Sequence, residues 1–157
     1  MIIYKDEVFD FFEIFNEDNG TLFRSDIKGI DPVMRSFPEL LDVGIMGHCN
    51  SGEYCRRAGI DCYQKGFTVN APNMSHDSFL EIVKQATGKT FQIALGGAGD
   101  PNKHPQFEEI LKSCRAYRIV PNMTTSGFLM KDNEIELIKK LLLANKDFIL
   151  PTKEEEA

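Results

Sequence analysis

An α/β fold built on a parallel sheet is predicted by three observations on this 157-residue chain. From Leu40 onward, short apolar runs of strand length alternate with longer stretches whose apolar residues recur at helical spacing, the pattern of repeated β-α units. Cys49, Gly97 and Ser126 fall at the C-terminal ends of the predicted strands, where such folds gather their functional loops. Ahead of Leu40 the pattern differs. VFDFFEIFNEDNGTLFRSDI reads as two short strands around Asn19-Gly20, a hairpin signal because both residues tolerate positive φ. A helix over residues 5–15, with Phe9, Phe12 and Phe15 near one face, is the rival reading of that stretch.

The elements follow in order. Residues 1–39 form an extension, a hairpin followed by the irregular linker GIDPVMRSFPEL with its two prolines. LLDVGIM is the first buried strand of the main domain, which spans residues 40–150. Ser75 opens a helix with Phe79, Ile82, Val83 and Ala86 on one face, and Gly88 stops it. FQIALGG, residues 91–97, is the second strand. A helix over 105–117 carries Phe107, Ile110, Leu111, Cys114 and Tyr117 at helical spacing. IVPNMTTSG is the third strand, and a helix over 132–145 turns Ile135, Ile138, Leu141 and Leu142 inward. DFIL begins a fourth strand, and residues 151–157 are a charged tail.

Composition bounds the function. A net charge of −6 and a pI near 5.1 argue against nonspecific nucleic-acid binding, which needs a basic surface. Hydrophobic content of 42% is enough for a buried core. No apolar run approaches membrane-spanning length and no signal peptide opens the chain, so the expected location is cytoplasmic. In that reducing setting cysteines serve metals or redox chemistry more often than structural disulfides.

Cys49, Cys55 and Cys62 fall within fourteen residues, on a loop rich in glycine and charge that follows the first strand of the main domain. Thiolates held close on a loop suit a soft metal centre. The cysteines alone leave zinc and an iron–sulfur cluster equally open. His48, beside Cys49, would complete a Cys3His zinc set, although zinc spacings are usually shorter and more regular. Cys114 lies on the apolar stripe of a helix and is read as core. Gly96-Gly97 by itself is a tight turn, Asp100 and Ser75 by themselves are helix caps, and His104 has no catalytic role.

Together these stretches, from about Leu40 to Gly127, resemble the radical S-adenosylmethionine (SAM) enzymes. In that family a cysteine loop follows the first barrel strand, and three cysteines bind three irons of a 4Fe–4S cluster. The amino-acid end of SAM chelates the fourth iron. The family's common spacing is C-x3-C-x2-C, whereas this chain has C-x5-C-x6-C, with Asp61 where an aromatic usually precedes the last cysteine. ALGGAGDP resembles the Gly-Gly-Glu-Pro motif that closes the family's second strand, lengthened by Ala98 and Gly99. HPQFEEILKSCRAYRIVPNMTTSG resembles its next helix and third strand, with Thr125, Ser126 and Gly127 where Thr-Asn-Gly is common.

The resemblance implies a partial (β/α) barrel of the radical SAM type with an N-terminal hairpin extension. It implies Cys49, Cys55 and Cys62 as cluster ligands and Gly96, Gly97, Asp100 and Ser126 as SAM-binding residues. It implies reductive cleavage of SAM to a 5′-deoxyadenosyl radical, with an electron donor to reduce the cluster. The substrate is not readable. The chain holds fewer β-α units than the family's barrel, so a fragment is expected, or a chain whose open edge and apolar interior are covered by a second copy or a partner protein. A zinc-binding or metal-free α/β interaction module is the alternative function.

Overall fold

The computed structural model describes residues 1–32, 34–128 and 130–142. Its first element is an antiparallel sheet of β1 (Ile2–Asp6), β2 (Phe11–Phe15) and β3 (Leu22–Asp26), in that order. The Asn19-Gly20 hairpin forms between β2 and β3, and the rival helix over residues 5–15 does not. The loop is six residues long, however. Asn16 N donates to Thr21 O at 2.9 Å, and Gly20 N donates to Asn16 O at the same distance. β1, which the sequence reading did not include, pairs along β2 from Ile2↔Phe15 to Asp6↔Phe11.

The second sheet is parallel, ordered β4 (Leu40–Met46), β5 (Gln92–Gly97) and β6 (Val120–Met123). Helices α2 (His76–Ala86), α3 (Phe107–Ala116) and α4 (Asp132–Leu141) connect or follow these strands. Ser75 caps α2, its side chain accepting from Ser78 N. The sequence reading carried the third strand on to Gly127, but pairing ends at Met123. The strand expected at DFIL and the charged tail at 151–157 lie outside the described residues.

Strand alternation gives this sheet two unlike faces. Val43, Ile45, Ile93 and Leu95 point to one side and are buried against Phe79 and Val83 of α2 and Ile110, Leu111 and Cys114 of α3. Leu137, Ile138, Leu141 and Leu142 of α4 extend that core; Leu137, not the expected Ile135, is the inward residue of its middle turn. The other face presents Leu40, Asp42 and Gly44 of β4, Gln92, Ala94 and Gly96 of β5, and Asn122 of β6. Beyond Leu40, and Val120 at its base under Ile2 and Phe15, it is polar and small, not the exposed apolar interior expected. The expectation carried the apolar content of the strands to both faces, whereas alternation confines most of it to the helical side.

The antiparallel sheet docks below the parallel one, at the N-terminal ends of its strands. Ile2 and Phe15 pack with Phe91 and Val120, and the Phe15 and Phe91 rings stack at 5.0 Å. Arg118 donates to the Met1 carbonyl and to Glu17, each at 2.8 Å. Ser36 donates from its backbone N and its hydroxyl to Asp6, at 2.7 and 2.8 Å. Burial opposes ionisation of Asp6, but these bonds and those from Phe9 and Val8 outweigh it and hold the carboxyl well below the usual range. Glu13, fully buried, accepts from Arg35 Nε at 2.7 Å, and the Arg35 guanidinium lies 3.9 Å above the Tyr4 ring.

Candidate functional site

The loops that follow β4, β5 and β6 meet at the C-terminal edge of the parallel sheet. The first carries the three thiols. Cys49 lies three residues beyond β4. Cys55 sits in α1 (Gly52–Arg57), a short helix where the sequence reading had only loop. Cys62 is in the turn closed by Lys65 N donating to its carbonyl at 2.9 Å. All three are unpaired and half-buried, whereas Cys114 is fully buried. Among the described residues, no three Cys, His, Asp or Glu side chains converge on a point that a metal ion would fill. Cys49 and His48 border a pocket of about 450 Å³ with Asn50, Glu53, Arg56 and Phe67; Cys55 and Cys62 lie outside that lining.

Two glycines explain how tightly the thiol loop is seated. A Cβ on Gly66 would lie 2.6 Å from the Ala98 carbonyl oxygen and 2.9 Å from Cys49 Cβ, so only glycine lets residue 66 lie between Cys49 and the end of β5. Gly97 has φ +119°, and a Cβ there would lie 2.3 Å from Met46 O. Ala98 N donates to that same oxygen at 2.8 Å. The backbone approach that requires glycine at 97 is thus made by β4 itself. Gly96 differs: a Cβ there would meet nothing nearer than Asp42 Oδ1, at 3.7 Å. Its backbone is the one open to a ligand from the uncovered face.

Asp100 and Ser126, both candidates for cofactor contact, are paired with each other. Ser126 donates from its N to Asp100 Oδ1 at 2.8 Å and from its hydroxyl to Oδ2 at 2.6 Å. A parallel link runs from Thr125 Oγ1 to Asn102 Oδ1 at 2.9 Å, and Asn102 donates onward to Glu134 at 3.4 Å. Phe128, in the same loop, contacts Tyr54 of α1 with ring centroids 4.7 Å apart. Asn102, Tyr54 and Phe128 were not among the sequence candidates. Nothing in the sequence marks Tyr54 and Phe128 as partners across more than seventy residues, but Asn102 directly follows the ALGGAGDP motif. His104 uses both ring nitrogens structurally, Nε2 against the Met74 carbonyl at 2.9 Å and Nδ1 accepting from Gln106 N at 3.0 Å.

The donor set suits an iron–sulfur centre in kind and number: three free thiols on one segment, none sealed in the core. Bringing all three onto one centre requires the segment between residues 50 and 70 to rearrange.

No family model matches the chain. Over 90 residues it is 26% identical to the tungsten-containing aldehyde ferredoxin oxidoreductase cofactor-modifying protein of Pyrococcus furiosus, covering 56% of this chain and 24% of that protein. The chain therefore spans about a quarter of the length of the curated relative it matches. Among solved structures, Streptococcus suis SuiB bound to S-adenosylmethionine superposes with a TM-score of 0.52 at 21% identity, over 70% of this chain and 23% of SuiB. BtrN in complex with AdoMet and 2-DOIA gives 0.52 at 15% identity, over 70% of this chain and 44% of BtrN.

Proposed function

We propose that this chain, whose α/β fold is that of the radical SAM enzymes, binds SAM at the C-terminal edge of β4–β6 and holds a 4Fe–4S cluster on Cys49, Cys55 and Cys62. When bound and reduced by an external donor, such a cluster supplies the electron that cleaves SAM to methionine and a 5′-deoxyadenosyl radical. The chain's own residues hold and position. Gly96 offers its backbone to the amino-acid end of SAM. Gly97 and Gly66 seat the thiol loop against β5. The Asp100–Ser126 pair fixes the loop after β6, so these two side chains act on SAM through the loop and not by contact.

Residues 40–150 carry this chemistry in the reading, and residues 1–39 brace the base of the sheet. The free thiols fit the reducing cytoplasm. The exposed Ile3 and Phe23 on the outer side of β1–β3, and β6 as an edge strand among the described residues, support a second copy or partner protein covering part of the surface. Among the described residues no helix is long and apolar enough to cross a membrane.

The observation that carries the proposal is the junction of the three-thiol segment with the Gly96-Gly97 strand end. Anaerobic reconstitution with iron and sulfide, followed by SAM equilibrium dialysis, tests it. The expected protein is brown, holds about four irons per chain, and binds SAM; each of Cys49→Ala, Cys55→Ala and Cys62→Ala loses the full cluster. A colourless protein holding one zinc overturns it. That result would favour the zinc-binding interaction module, for which the specific support is His48 beside Cys49 in the same pocket.

A further inference from the structure

We infer that the uncovered face of the parallel sheet carries a subsite for an organic cation, an amine or guanidine, centred on Asp42; the inference rests on reading this sheet as the one that binds ligands. Parallel sheets are normally buried on both faces. Here α2, α3 and α4 cover one face with apolar side chains, while the described residues cover the other only at its base, where Val120 is buried under Ile2 and Phe15. The open face is not made for an apolar cover. Its floor of Gly44, Ala94 and Gly96 offers little area to bury, and covering it would strip water from Asp42, Gln92 and Asn122.

The register places the polar groups in order. Asp42, Ala94 and Asn122 form one row across the three strands, and Gly44 and Gly96 form the next row toward the C-terminal edge. With strands spaced about 4.8 Å apart, Asp42 and Asn122 stand on backbones roughly 10 Å apart, the width of a small organic group over Ala94. Asn122 Nδ2 donates to Gln92 Oε1 at 3.1 Å, which leaves the Asn122 carbonyl oxygen free to accept. The Asp42 carboxylate has no hydrogen bond or ion pair among the described residues. Its Oδ1 lies 3.7 Å from the point above Gly96 where a side chain would begin, so it overhangs the glycine row. Acceptors flank the floor on two sides, and one of them is an unneutralised charge. The matching ligand is donor-rich and positive, and the chain's net charge of −6 draws cations toward it.

The test uses the full chain, isotope-labelled, and follows backbone amides by NMR. Agmatine, which has an ammonium at one end and a guanidinium at the other, is the probe; 1,4-butanediol is its neutral control. Agmatine should shift Gly44, Ala94 and Gly96 saturably, and butanediol should not. Asp42→Asn, an isosteric change at an exposed position, should weaken agmatine about tenfold or more, the loss of one charge-assisted hydrogen bond. Asp61→Asn, in the thiol loop, should leave it unchanged. Agmatine shifts that scatter over other carboxylates, or that persist in Asp42→Asn, overturn the subsite. SAM is titrated in parallel. Agmatine binding without SAM binding sinks the function proposed above and leaves this subsite standing; SAM binding without agmatine binding does the reverse.

Discussion

Replacing Gly97 by Ala should unfold much of this protein's margin, while the same change at Gly96 should barely register. At Gly97 two costs combine. The φ of +119° is a region L-residues enter at about 1–3 kcal/mol. The new Cβ would also sit 2.3 Å from Met46 O and 2.7 Å from Met46 N, atoms of a paired strand that cannot swing aside. Relieving such overpacking costs roughly another 1–3 kcal/mol. The sum, about 2–6 kcal/mol, is a large share of the about 5–15 kcal/mol that holds a domain folded. At Gly96 the Cβ meets only Asp42 Oδ1 at 3.7 Å, and the change should stay within about 1 kcal/mol. Urea unfolding followed by far-UV circular dichroism gives both values. With a slope of about 2 kcal/mol/M, the Gly97→Ala midpoint should fall by roughly 1–3 M. Equal midpoints for the two variants would show that β4 does not press on Gly97 and that the glycine is there for another reason. For the same reason Gly96→Val, and not Gly97→Val, is the variant to use against SAM: it should lower affinity while leaving the fold intact.

Burial raises the Glu13 carboxyl to about 7; Arg35 opposes that shift and Glu39 adds to it. Because the folded value lies above the ordinary 4.5, its contribution is full below about pH 4.5 and is lost as pH rises through 7; Glu13→Gln should flatten the melting temperature between pH 5 and 8, and a parallel decline in both proteins would exclude Glu13 as the cause. Burial pushes the Cys114 thiol up to about 12, so a disulfide reagent should titrate three thiols quickly and the fourth only on unfolding, whereas four fast thiols would place Cys114 at the surface. Asp100→Ala removes two hydrogen bonds from the loop after β6 and should speed amide exchange at Ser126 at least about tenfold, with little change at β5; unaltered exchange would mean the pair does not hold the loop.

What could be read in the sequence was what repeats locally. Phe79, Val83, Ile110, Leu111 and Cys114 announced the covered face of α2 and α3 by spacing alone, and Ser75 announced its cap. β1 escaped because IIYKD is short and charged, and its only signal is the partner it finds in β2. α1 escaped because GEYCRR has no apolar period; its turns are braced by Glu53 with Arg56 and Arg57. At the site, the ends of β4 and β5 were legible because glycine marks them, whereas the third strand was read past its end at Met123, and the use of each residue was not legible. Asp100 and Ser126 are 26 residues apart, and only the folded chain shows that they answer each other. Gly97 looked like a ligand-facing glycine because its motif suggested one, whereas the neighbour that demands it is Met46, on another strand.

The docking of β1–β3 beneath the parallel sheet also sets an order of events during synthesis. The antiparallel sheet is local and needs nothing beyond Asp26 to pair. Its landing surface is Phe91 and Val120, and its polar anchor is Arg118, reaching back to Met1 and Glu17. At about 5–20 residues per second, a ribosome delivers Val120 roughly 5–20 seconds after Phe15. Throughout that interval Ile2 and Phe15 face water, on a small sheet with two open edges. The covering of that small apolar surface therefore waits on the emergence of β6.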